Sequence, residues 1–106
     1  MANLTSEDLI AAIADPTRRK VLEALRDGPR SVGEIAQGLP VSRPAVSQHL
    51  KVLSDAGLVQ ASAQGTRRIY RVDAAGLAPL RQWLDSFWGD VLTRFANEAE
   101  NRTPDT

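Results

Sequence analysis

Apolar residues recur at helical spacing along most of this chain, with polar residues on the faces between them. Residues 40–53 (PVSRPAVSQHLKVL) show the pattern best. Val46, Leu50 and Leu53 stand at i, i+4 and i+7 and share one apolar stripe. Arg43, Ser47 and Lys51 stand at i, i+4 and i+8 on another face, with Gln48 beside them. That second face is short, polar and cationic, suited to base edges and phosphates and poor material for a core. Ser42 can cap this helix, Pro44 fits its first turn, and Gly57 closes it after about Ala56.

The same reasoning orders the rest of the chain. Residues 5–13 read as a short helix, with Thr5 and Asp8 at capping-box spacing and Leu9, Ile10 and Ile13 on its apolar face. Asp15-Pro16 starts a second helix, with Val21, Leu22 and Leu25 as its buried stripe and Gly28-Pro29 at its end. Arg18, Arg19 and Lys20 lie near its start, where the helix dipole disfavours cations. Pairing with an acidic neighbour and contact with phosphate are the two explanations. Ser31-Val32-Gly33-Glu34 is a capping box opening a third, short helix that ends at Gly38-Leu39-Pro40. A short helix, a tight turn and the two-faced helix make a helix-turn-helix pattern. Residues 58–63 and 67–72 read as strands joined at Gln64-Gly65-Thr66, with Tyr70 and Val72 facing inward. Arg67, Arg68 and Arg71 make this hairpin basic, which is the layout of a wing. The expected fold is mainly α with one two-stranded β-hairpin (α+β): a winged helix-turn-helix.

From about Ala78 to Ala99 the pattern is that of one long helix. Leu80, Trp83, Leu84, Phe87, Trp88, Val91, Leu92 and Phe95 form a stripe too wide for a helix covering a small domain. Four of the five aromatic residues of the chain lie in it, and such residues are enriched at interface cores. The surplus predicts a homodimer. Its interface is expected from Trp83, Leu84, Phe87, Trp88, Val91 and Phe95, with Leu9, Ile10 and Ile13 of the first helix contributing. A single domain, 1–100, is expected, dimerised through its terminal helices, followed by a flexible tail at 101–106.

Length and composition agree: 106 residues suit one domain, and 42% hydrophobic with 25% charged residues is ordinary for a soluble protein. No apolar run approaches the ~20 residues of a membrane span, so no membrane partner is expected. The opening MANLTSEDL is acidic and has no signal-peptide pattern, so the cytoplasm is the expected location. Cysteine is absent, which rules out disulfides and thiolate metal sites. The net charge is zero, but its distribution is not even. Residues 16–72 hold ten Lys/Arg against four Asp/Glu, whereas 1–15 and 73–106 each carry an excess of three acids. A basic face suffices on a neutral protein because screening limits the field to ~8 Å; a chance fluctuation is the plainer alternative.

Three segments, ADPTRRKVLEAL, SVGEIAQGLPVSRPAVSQHLKVLSDAGLV and GTRRIYRVD, together resemble the ArsR-type winged-helix repressors. The likeness covers residues 11–95, is most specific over 41–59, and is nearest to the branch of these repressors that senses no metal and regulates its own gene. It implies a homodimeric bacterial repressor of operator DNA. Carried over by position, it implies DNA contact by Ser42, Arg43, Ser47, Gln48 and Lys51, and by Arg67 and Arg68 of the wing. His49 adjoins both faces of its helix, and both a packed histidine and a phosphate contact fit it. Metal-sensing members carry cysteines in the helix before the turn, where this chain has Glu34-Ile35-Ala36-Gln37-Gly38. Others carry His and acidic ligands on the last helix, which here has Asp85, Asp90, Glu98 and Glu100 but no His. No metal site and no cofactor are therefore expected.

Catalysis has little to build on: one histidine, no cysteine and no glycine-rich phosphate loop. The competing function is a winged-helix module for protein–protein contact. The cationic face of residues 42–56 argues against it, and favours a regulator that binds double-stranded DNA at a palindromic operator.

Overall fold

The strongest helix-start signals in the chain do start helices in the computed structural model, which describes residues 6–101. The helices are α1 (Ser6–Ile13), α2 (Pro16–Glu23), α3 (Val32–Gln37), α4 (Arg43–Asp55) and α5 (Ala78–Asn101). The strands are β1 (Arg30–Ser31), β2 (Val59–Gln64) and β3 (Arg67–Val72), and a 3₁₀ turn spans Ala74–Leu77. Thr5, expected to cap the first helix, and the tail beyond Asn101 lie outside the described residues.

Asp15 caps α2, its Oδ1 accepting from the backbone N–H of Thr17 at 2.8 Å and of Arg18 at 3.3 Å. Both arms of the α3 capping box are made: Ser31 N–H donates to Glu34 Oε1 at 3.0 Å, and Glu34 N–H to Ser31 Oγ at 3.2 Å. Ser42 Oγ accepts from Ala45 N–H at 3.3 Å at the start of α4. The second helix is shorter than its pattern suggests. Past Glu23 the chain tightens into i→i+3 turns, Leu25 N–H to Leu22 O and Arg26 N–H to Glu23 O, both 3.0 Å.

The hairpin is where the structure adds most. β2 and β3 pair antiparallel from Val59 opposite Val72 to Gln64 opposite Arg67. Gly65 takes φ +63° in the two-residue loop between them. β1 joins the other edge of β3, Arg30 opposite Tyr70 and Ser31 opposite Ile69. The sheet is therefore three-stranded, in the order β1-β3-β2. The third strand anchors the wing to the start of α3, which a free hairpin would lack.

Leu9, Val21, Ile35, Val46, Leu50, Leu53 and Leu58 are fully buried, and among the described residues no polar side chain is buried with them. Ile13, Leu22, Tyr70, Val72, Leu77 and Leu80 pack around this core. Leu9 is thus part of the chain's own core, with no surface left for the dimer contact expected of it. Ile10, at 40% exposure, keeps that surface. Arg18 and Arg19 also find an explanation. Arg18 Nη1 donates to Ala12 O at 3.0 Å, and Arg19 Nη1 to Ile13 O at 2.9 Å. They close the C-terminal end of α1, where the dipole favours cations. Arg18 also reaches Asp15 at 3.9 Å.

α5 leaves the core after its first turn. Leu80 packs on the core, but every residue from Arg81 to Glu100 is exposed. Trp83, Leu84, Phe87, Trp88, Val91, Leu92 and Phe95 are all 44–68% exposed. Trp83 and Phe87 stack on each other with ring centroids 5.7 Å apart.

Candidate nucleic-acid interface

α4 is positioned by its apolar stripe. With Val46, Leu50 and Leu53 at 0% exposure, the helix cannot roll without opening the core. Its opposite face must then be the outer one. Ser42, Arg43, Ser47, Gln48 and Lys51 are all exposed, and His49 is half-buried at the edge of the face. Asp15 is held below its usual carboxylate range chiefly by the Arg18 and Thr17 backbone N–H groups, with His49 and Arg18 adding charge.

Two clefts flank α4. One, about 380 Å³, is lined by Ser31, Val32, Gly33, Glu34 and Gln37 of β1 and α3, by Arg43, and by Arg67 and Arg68. The other, about 480 Å³, lies between α4 and the sheet and includes Ser47, Lys51, Arg68 and Tyr70. Five of the eight expected DNA-facing residues thus gather at two adjoining clefts, and Arg68 belongs to both. Ser42, Gln48 and His49 line neither.

Glycine explains one of these placements. A Cβ on Gly33 would stand 3.1 Å from the Arg43 guanidinium, so the bare backbone of α3 gives that side chain its bed. Arg67 is engaged within the chain. Its Nη2 donates to Glu34 Oε1 at 2.7 Å and to Ser31 Oγ at 3.0 Å. The base of the wing is therefore tied to the α3 capping box. Glu34 is held below its usual range, first by the Ser31 backbone N–H, then by the Ser31 hydroxyl and by Arg67. The capping role of Glu34 was visible in the sequence; its partner 33 residues away was not. The side chains of Arg68 and Lys51 make no hydrogen bond or ion pair among the described residues. No group of three or more His, Cys, Asp or Glu side chains comes together among them either, and no helix is long and apolar enough to cross a membrane.

The fold and this outward helix define a winged helix-turn-helix protein. The model of the arsR family of bacterial regulatory proteins matches residues 15–61, from the α2 cap into β2. The HTH-type transcriptional regulator Rv2034 of Mycobacterium tuberculosis is 55% identical over 95 residues, covering 90% of this chain and 89% of its own. The transcriptional repressor SdpR of Bacillus subtilis is 32% identical over 80 residues, covering 76% and 89%. Among solved structures, a homodimeric winged helix-turn-helix DNA-binding domain from Mycobacterium bovis is similar with a TM-score of 0.62. It is 27% identical, over 94% of this chain and 86% of that one. The chain belongs to the ArsR family and is a DNA-binding transcription regulator.

Proposed function

We propose that this protein is a homodimeric repressor of a palindromic operator, its own promoter among the sites it controls, acting in the bacterial cytoplasm. The observation that carries the reading is the division of α4, three residues fully buried on one side and Arg43, Ser47, Gln48 and Lys51 open on the other. Gln48 is suited to a bidentate contact with adenine, and Arg43 and Lys51 to guanine or phosphate. Ser42 keeps its hydroxyl hydrogen for a phosphate while its oxygen caps the helix. Arg67 and Arg68 follow the DNA backbone beside them.

The dimer follows from α5. A helix with this many half-exposed aromatic and aliphatic residues is stable when a second copy covers it, and the similar Mycobacterium bovis domain is homodimeric. Ile10 and the rim of Ile13 extend the same surface, in a domain that spans residues 1–100.

Duplex binding measured across salt concentrations tests the DNA-binding role. The log of the binding constant should fall linearly with the log of salt. Gln48→Ala should cost roughly 1–3 kcal/mol per half-site on the operator and little on random DNA. Binding without salt dependence would shift the reading to a protein-contact module.

A further inference from the structure

Glu34 is the one acidic side chain lining a cleft that otherwise gathers Arg43, Arg67 and Arg68. One of its oxygens is used twice, accepting from the Ser31 backbone N–H and from Arg67 Nη2. The same Nη2 donates to Ser31 Oγ, so both hydrogens of that nitrogen are engaged within the chain. The ion pair is also open to water, with Arg67 58% and Glu34 49% exposed. Pairs of this kind are readily exchanged. A carboxylate oxygen on a guanidinium offers the same charge-assisted bonds as a phosphate oxygen.

Resting on the DNA-binding reading above, we propose that this cleft seats a backbone phosphate of duplex DNA. Glu34 is then a positioning residue that takes the phosphate's place on Arg67 until DNA arrives. Binding is an exchange: Arg67 leaves the carboxylate and takes the phosphate, with Arg43 and Arg68 lining the same cleft. Glu34 keeps its bond to the Ser31 N–H, so the start of α3 is preserved. The phosphate contact is offset by the lost ion pair, equally for every DNA sequence. The freed carboxylate also collects a counter-cation as the phosphate releases one, which makes the salt dependence shallower than a free arginine would give.

Fluorescence anisotropy with a short mixed-sequence duplex tests this on Glu34→Gln, Arg67→Gln and the double variant. Glutamine can still close the α3 capping box, and a thermal melt confirms each fold. Glu34→Gln should tighten binding by about two- to fivefold and steepen the salt slope by up to about one. Arg67→Gln should weaken binding and flatten the slope, and the double variant should match it. Unchanged or weaker binding by Glu34→Gln overturns the exchange. So does a gain that survives in the double variant, because general repulsion would then be the cause. Inorganic phosphate, titrated at fixed ionic strength against the Arg67 Nε–H resonance, tests the other source of the same chemistry. A saturable shift that added duplex does not reverse would assign the seat to a free anion and overturn the DNA assignment; a shift that duplex reverses, or none, supports it. Wild-type protein that binds no duplex even at low salt would instead overturn the DNA-binding reading, whatever Glu34 does.

Discussion

At the scale of single residues, charge is placed by local hydrogen bonds before it serves any partner. Asp15 and Glu34 both have carboxyls lowered mainly by backbone N–H groups at helix starts. A lowered carboxyl adds stability that is fully present above its ordinary value, 3.8 for Asp15 and 4.5 for Glu34. That stability is lost as the pH falls through the folded-state value. Denaturant titrations should therefore show stability level near neutrality and falling below about pH 4.5. Asp15→Asn, which can still cap α2, should lessen the acid loss. Much of this chemistry was legible, because caps are local: Asp15, Ser31 with Glu34, and Ser42 are each read within four residues. The Arg67–Glu34 pair and the bed that Gly33 gives Arg43 were not, because the first depends on how β3 lies beside β1 and the second on how α3 packs against the start of α4. Gly76 is another case. A Cβ there would stand 1.6 Å from Gly57 O and 2.7 Å from Gly57 C. Backbone cannot yield as a side-chain tip can, so Gly76→Ala should cost on the order of 3 kcal/mol. Thermal melts should show a drop of roughly 10–20 °C.

Elements were predicted well where periodicity is long and poorly where it is short. The buried stripe of α4 is the one expected, Val46, Leu50 and Leu53, because thirteen residues of helix leave little ambiguity of phase. β1 was missed because two residues carry no alternation. The sequence puts Leu9 at the dimer seam because residues on one helical face look alike until a neighbour is known. In the structure it is Leu9 and Ala12 of α1 that are buried, and Ile10 that stays open. The last helix adds to its own chain's core only through its first turn, around Leu80. This makes α5 the element on which the dimer proposal depends. Trp88→Asp should sediment as a monomer, with the far-ultraviolet helix signal falling by no more than the share that α5 contributes. A variant that still sediments as a dimer would move the interface elsewhere.

For the whole molecule, shape and charge point the same way. The Cα radius of gyration is 18.9 Å and the longest dimension 72 Å, whereas a compact chain of this length has a radius near 13 Å. The excess is consistent with α5 reaching beyond the core its own chain provides. Acidic residues are in excess at 1–15 and 73–106, and basic residues between them. A dimer joined through α5 brings the acidic segments together and leaves the basic middle of each copy for DNA. Two α4 helices related by a dyad would then enter successive major grooves about 34–36 Å apart. Footprinting of the purified protein on the DNA upstream of its own gene tests this most directly. The account predicts two protected patches on one face of the duplex, centred about 10–10.5 base pairs apart or a multiple of that, over an inverted repeat. A single unpaired patch, or no protection by folded protein at low salt, would contradict it.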